Sequence, residues 1–245
     1  MKLDELLLQG GLDVPFSIAR VTIHNPTLEE IGYIGEESFL MGCHFLIFDK
    51  DKFLKDEDKV GLENQSNFHI FMSVMNSSDT AMHKIDALLV LTLLFPNYEV
   101  KVEYDKILLQ SENFSSSINE DNFEEFKEII SQMFYLGESE EKDKFDPADD
   151  LARRIAEKIK EGKRKKAGMK DDDKVKINLF SKYISILSVG LRKDKSDLKK
   201  YTVWQLRDEM KRFELKQEWD LFVKGRLAGA SDLEEPENWM SDIHS

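Results

Sequence analysis

Cysteine is nearly missing. Cys43 stands alone in 245 residues, so no internal disulfide can form. A disulfide-stapled secreted scaffold is excluded, and a reducing cytosol suits such a chain. Long hydrophobic runs are missing too: the longest, Ala87 to Phe95 with Thr92 inside it, is about half of what a membrane span needs. The opening Met1-Lys2-Leu3-Asp4-Glu5 is acidic and has no signal-peptide core. Basic charge is in the minority. The 35 Lys and Arg against 48 Asp and Glu leave a formal charge of −13, a field that repels nucleic acid and anionic membranes unless a local patch overrides it. Catalytic signatures are absent as well. There is no glycine-rich phosphate loop, no His-Glu-x-x-His zinc helix and no Gly-x-Ser-x-Gly elbow. No set of acid, base and nucleophile can be nominated, so the expectation is a non-enzyme without cofactor.

What is present is a chain with 41% apolar and 34% charged residues, a balance suited to long exposed helices. It divides into three. Residues 1–136 hold most of the large apolar side chains and predict an α+β lobe. Residues 137–174 are almost without aromatics: Glu138–Asp150 has seven acids against two lysines, and Arg153–Lys170 has nine basic residues against two glutamates. Adjacent blocks of opposite sign read as an exposed charged linker, with one helix over about 147–166 started by Asp146-Pro147. Residues 175–245 predict a helical lobe ending in an acidic tail. The expected fold class is therefore mainly α, with a small antiparallel sheet or hairpin in the first lobe.

Within the first lobe, residues 16–24 predict a strand with one irregularity, stopped by Asn25-Pro26. Thr27 and Glu30 have the spacing of a capping box. The helix they start would carry Ile31, Ile34, Met41, Phe45 and Phe48 on one face. A second helix is predicted over 67–75. A third, capped by Asp79 and ending before Pro96, is apolar all round from Ala87 and hence expected to be central and buried. Residues 98–110 alternate as a β-hairpin, and a helix bearing Phe123, Phe126, Ile130 and Phe134 starts at Asn119 or Asp121. In the last lobe, Ile177, Phe180, Ile184, Leu187 and Leu191 form one helix. Thr202 starts another with Val203, Leu206, Met210 and Phe213. Leu215, Trp219 and Phe222 belong to a different seam, which predicts a break near residues 214–216.

Several features invite a chemical reading. Asp56, Asp58 and Gly61 imitate half of a calcium loop, but Val60 and Asn67 stand where an oxygen ligand and a bidentate glutamate are wanted. A solvated acidic loop explains them better, as it does Asp171-Asp172-Asp173. Cys43 with His44, His69 and His83 matches no zinc spacing, and Cys43 reads as a small buried hydrophobe. The basic patch Lys158, Lys160, Lys163, Arg164, Lys165 and Lys166 could grip phosphates. It lacks interleaved aromatics, so a solvated linker or a docking site for an acidic protein surface is preferred. Trp204 and Trp219 lie on helical seams and read as core. Trp239 follows Glu234-Glu235-Pro236-Glu237-Asn238; it either docks into a partner or folds back on its own lobe.

Two stretches carry a family resemblance. Residues 26–40, Pro-Thr-Leu-Glu-Glu-Ile-Gly-Tyr-Ile-Gly-Glu-Glu-Ser-Phe-Leu, resemble the opening helix of tail assembly chaperones from tailed bacteriophages of Gram-positive hosts. The second stretch is Tyr201-Thr-Val-Trp-Gln-Leu-Arg-Asp-Glu-Met-Lys-Arg-Phe213, with Leu227-Ala-Gly-Ala-Ser231 and Trp239-Met-Ser-Asp-Ile243. It resembles the terminal domain of the same proteins. The resemblance covers about a third of the chain, and none of its motifs is catalytic. It implies an assembly factor that coats the helical tape-measure protein, keeps it soluble and recruits tail-tube subunits. Such a factor acts in the cytoplasm of the infected host and is absent from the mature virion. In that family a frameshift often joins two lobes, and residues 138–174 are where a junction would fall. Adaptable Phe and Met side chains suit a loosely specified helical partner. On that basis Phe45, Phe71, Met72, Met75, Trp239, Met240 and Ile243 are the expected protein-binding residues; self-association is left open. The competing readings are a tail or baseplate component retained in the virion and a DNA-associated factor working through the basic patch.

Overall fold

The computed structural model describes residues 2–50, 65–77, 81–136, 179–230 and 233–241. The chain opens with a short helix α1 (Glu5–Gln9), whose first turn is capped by the Asp4 carboxylate accepting from the Leu6 amide. Strands β1 (Val14–Phe16) and β2 (Val21–Ile23) then form an antiparallel hairpin in the register Val14↔Ile23, Phe16↔Val21. The single strand expected over 16–24 is thus a turn and a returning strand. Its irregularity at Ser17–Ala19 is the hairpin loop, closed by Arg20 at φ 54°. Alternation survives, because Val14, Phe16, Val21 and Ile23 are all buried.

The capping box forms as its spacing predicts. Helix α2 (Leu28–Ile34) begins at Thr27, whose hydroxyl accepts from the Glu30 amide while the Glu30 carboxylate accepts from the Thr27 amide at 2.7 Å. The expected single apolar face from Ile31 to Phe48 does not form. Gly35 takes φ 90° and ends α2, and α3 (Glu36–Leu46) restarts in a new phase. It buries Phe39, Gly42, Cys43 and Leu46 and leaves Met41 exposed. Helix α4 (Asn67–Asn76) is capped by Ser66 and buries Phe68, Phe71, Met72 and Met75. Helix α5 (Ala81–Leu94) packs tightly on α3: a Cβ added to Gly42 would stand 2.5 Å from the Asp86 carbonyl oxygen. This helix is buried on one side only, through Ala87, Val90, Leu91 and Leu94, with Leu89 exposed. The expectation of an all-round buried helix is corrected accordingly. Its proposed cap, Asp79, lies outside the described residues.

The predicted hairpin gains a third strand. β3 (Glu99–Val102), β4 (Ile107–Gln110) and β5 (Ser115–Ile118) make an antiparallel sheet in the order β3-β4-β5. Helix α6 (Phe123–Phe134) follows and buries Phe123, Phe126, Ile130 and Phe134 as its period predicts. Phe71–Phe123 at 4.9 Å, Phe68–Phe123 at 5.2 Å and Phe39–Phe134 at 5.0 Å tie α3, α4 and α6 together, in the offset and edge-on geometries that aromatic quadrupoles favour.

The expected linker helix and its basic patch lie outside the described residues. After them come α7 (Leu179–Leu191), the single turn α8 (Lys195–Leu198) and α9 (Val203–Leu227). Among the described residues the fold is mainly helical, with two small antiparallel sheets. The sequence separates 1–136 from 175–245 as lobes, but their described residues share one core. Phe180 packs on Phe39 and Trp204 on Tyr135, at 6.2 and 6.0 Å. Two capping boxes form the seam between them. Thr202 with Gln205 repeats at α9 what Thr27 with Glu30 does at α2. Thr27 and Thr202 face each other in an antiparallel bridge. The amides of Leu28 and Glu29, free donors at a helix start, donate to the carbonyls of Tyr201 and Lys199 at 2.8 and 2.9 Å. Gln205 caps α9 with its Oε1 and donates from Nε2 to the Gln9 carbonyl at 2.7 Å, drawing α1 onto the same seam.

Candidate functional site

The helix α9 runs unbroken for 25 residues. The slip in apolar rhythm after Phe213 is therefore a change of face, and the break expected at 214–216 does not occur. No proline interrupts residues 203–227. Ion pairs one turn apart, Asp208–Arg212 at 3.4 Å and Lys216–Asp220 at 2.8 Å, flank the place where the seams change. At about 100° per residue, Val203, Leu206, Met210 and Phe213 share one side. Leu215, Trp219, Phe222, Val223 and Leu227 share a stripe on roughly the opposite side.

The first seam is sealed, with Val203, Leu206 and Met210 buried and the Phe213 ring pressed on Gly190 of α7. The second opens progressively along the helix. Leu215 is buried, Trp219 and Phe222 are half-buried at a ring separation of 5.9 Å, and Leu227 is 82% exposed. Trp204 sits in the core as expected, whereas Trp219 does not. The Arg226 guanidinium lies 5.5 Å from the Phe222 ring centre and covers part of its face.

The chain after α9 returns along it. Leu233 lies against Gly225, and Arg212 donates from Nη1 to the carbonyls of Trp239 and Ser241 at 3.2 and 3.4 Å. These helix positions are about 20 Å apart, and six extended residues span about the same length. Gly225 and Arg212 flank the Trp219–Phe222 direction around the helix, so the tail crosses the second seam obliquely. Trp239 is thereby folded back and half-buried, while Met240 beside it is 68% exposed.

The other expected binding residues lie elsewhere. Phe71, Met72 and Met75 are sealed in the core between α3, α4 and α6, so they present no surface to a partner in this fold. Phe45 is half-buried, 5.4 Å from Phe71 and stacked at 6.1 Å on His83. The sequence pattern placed all four on apolar helical faces without distinguishing a filled core from a groove. Ile243, like Lys158, Lys160, Lys163, Arg164, Lys165 and Lys166, lies outside the described residues. Val223 was not singled out from the sequence, and Leu227 only as the start of the Leu227-Ala-Gly-Ala-Ser231 stretch, not as a binding residue; the signal was their position on the Trp219 stripe beyond the reach of the first seam.

Polar chemistry is dispersed. Cys43 is fully buried, and desolvation pushes its thiol pKa well above the ordinary value. His44, His69 and His83 are exposed on three separate helices. Among the described residues no group of three or more His, Cys, Asp or Glu is arranged to hold a metal ion, and no helix is long and apolar enough to cross a membrane. His24 stands between two carboxylates, 2.9 Å from Asp13 Oδ1 and 3.1 Å from Glu30 Oε1, linking the hairpin to the α2 cap. Desolvation opposes ionisation of Glu30. The hydrogen bonds from Thr27 and His24 outweigh it and hold the carboxyl below its usual value. These groups are engaged in holding elements together.

No family model, curated protein or solved structure matches the chain. The functional reading therefore rests on the residues and on the exposed second seam of α9.

Proposed function

We propose that the protein is a tail assembly chaperone of a tailed bacteriophage. It binds the tape-measure protein, keeps that helical polypeptide soluble, and helps recruit tail-tube subunits around it. The family resemblance of residues 26–40, 201–213, 227–231 and 239–243 names the class, and the second seam of α9 is the observation that carries the reading. A stripe of Trp219, Phe222, Val223 and Leu227 that the body leaves open is suited to the apolar side of an amphipathic helix. Its aromatic members supply rigid contact area. The formal charge of −13 keeps a loaded complex dispersed.

The tail extends the surface. Trp239 and Met240 lie in a turn of the returning segment, which two hydrogen bonds from one arginine hold on α9, an attachment weak enough for a partner helix to displace or incorporate. The test is co-expression with the tape-measure protein of the same phage. The wild type is expected to move that protein from pellet to supernatant. The double variant Val223→Glu, Leu227→Glu, which alters only exposed positions, is expected to fold and to leave it in the pellet. Failure of the wild type would refute the function. Full solubilisation by the folded variant would refute the site.

A further inference from the structure

The three-stranded sheet has two outer edges, and they are finished differently. Glu103 donates its amide to the Lys106 carbonyl, and Ser111 donates to Phe114. Backbone groups alternate in direction along a strand, so Glu99 and Lys101 point at β4, while Val100 and Val102 point out of the sheet. By the same alternation Ser115 and Ser117 point outward from β5. That edge is closed: Asn122 donates its side-chain amide to the Ser117 carbonyl at 2.8 Å, and the Ser116 hydroxyl donates to Ala19 in the adjacent hairpin loop. On β3, Asn76 reaches only the Tyr104 carbonyl beyond the strand end. Among the described residues no hydrogen bond engages the outward groups of Val100 and Val102.

An open strand edge templates another strand, and the side chains here select one partner. Glu99 and Lys101 share the exposed side of β3 and pair with each other at 2.9 Å. An antiparallel copy of β3 with Val100 opposite Val100 places each Glu99 directly across from Lys101 of the other chain. A shift of two residues loses this: one way sets Lys101 against Lys101 and Glu99 against Glu103, and the other sets Glu99 against Glu99. A shift of four, with Val102 opposite Val102, pairs Lys101 with Glu103 but sets Glu99 against Asp105 and Val100 against Tyr104, beyond the end of β3. A two-fold axis at Val100 makes the surface self-complementary, as a closed dimer requires.

We propose that the protein forms a two-fold dimer by antiparallel pairing of its β3 strands, joining two three-stranded sheets into one of six. Val100 exchanges both backbone hydrogen bonds with Val100 of the second copy, and two Glu99–Lys101 pairs flank the axis. This is independent of what α9 binds.

Sedimentation of the full chain tests it. The wild type is expected at twice the chain mass of 28.5 kDa. Lys101→Glu turns two attractive cross-strand pairs repulsive and is expected to raise the dimer dissociation constant about tenfold. The double exchange Glu99→Lys, Lys101→Glu restores complementarity and is expected to restore the dimer. Val100→Pro removes the outward amide of an edge strand together with part of the Val100 packing on the core, and is expected to give a folded monomer of lower stability. A monomeric wild type, or a dimer indifferent to Lys101→Glu, would overturn the proposal. A Lys101→Glu effect that the double exchange fails to reverse would overturn the register.

Discussion

Gly42 and Gly32 invite the same substitution with opposite expected results. Gly32 lies exposed in α2, and a Cβ there would meet nothing within 4 Å. Gly32→Ala removes the entropic penalty of a helical glycine and should stabilise by about 0.5–1 kcal/mol. Gly42→Ala brings the same propensity gain in α3. Its new methyl, however, would stand 2.5 Å from the Asp86 carbonyl oxygen and 2.7 Å from Val90 Cγ2 of α5. The oxygen belongs to the backbone of a packed helix and cannot rotate away. Ordinary contact returns only if α3 and α5 part by about 1 Å, and a gap of that size forfeits up to roughly half of each dispersion contact along the interface. Overpacking of this kind costs about 1–3 kcal/mol, so after the propensity gain Gly42→Ala should destabilise by about 1 kcal/mol, in the middle of a range of about 0–2.5 kcal/mol. Urea unfolding of both variants reads the difference as midpoint shifts of opposite sign at unchanged slope. A Gly42→Ala protein as stable as Gly32→Ala would show that α3 and α5 do not approach as described.

Thr202→Ala should cost about 1 kcal/mol through the lost cap, and hydrogen exchange should show the Leu28 and Glu29 amides losing protection, because their acceptors are Tyr201 and Lys199. Glu30, held below the usual carboxyl value by its hydrogen bonds, contributes stability that is present above the unfolded value and lost as pH falls through the lower folded one. Acid titration of melting temperature should therefore show wild type and Glu30→Gln converging below about pH 4. The Cys43 thiol, buried with its pKa raised, should react with a disulfide reagent at the rate of opening of the core. Rapid labelling of the native protein would contradict its burial. Tyr201→Phe removes an acceptor of the Lys193 ammonium at 2.7 Å and should cost about 0.5–1.5 kcal/mol in urea unfolding.

Much of the local structure was legible because it depends on neighbours in sequence. Thr27 and Glu30 are three residues apart and satisfy each other's amides wherever the rest of the chain lies. The α6 face was legible for a similar reason: Phe123, Phe126, Ile130 and Phe134 repeat at the helical period with no breaker among them. The misreadings arose where two local explanations compete. A helical rhythm can run on across a chain break, and a lost one can mean only a change of face. Gly35 broke the chain between α2 and α3 although the rhythm from Ile31 to Phe48 looked continuous, and the uninterrupted helix formers of α9 carried the helix on although the rhythm changed after Phe213. Strand β5 went unread because Ser115-Ser116-Ser117 carries almost no hydrophobic signal. Its place comes from pairing with β4 and from Asn122 and Ala19 beside it.

The candidate site was half legible. Trp239 and Met240 could be named from an aromatic in an acidic tail, and the second seam of α9 from its changed phase. That Phe71, Met72 and Met75 fill a core while Leu227 stands open follows from which faces meet, and apolar residues of both kinds look alike in sequence.

Determined by the sequence alone were the Thr27–Glu30 capping box, the helix start at Thr202, the helical periods, the acidic balance and the lack of any disulfide, all of which depend on residue type and short spacing. The tertiary structure decided that the described residues of 179–241 close onto those of 2–136, with Thr27 against Thr202 and Phe39 against Phe180. Those contacts join positions more than a hundred residues apart, and their strength comes from shape and desolvation at the meeting surfaces, which no local pattern records.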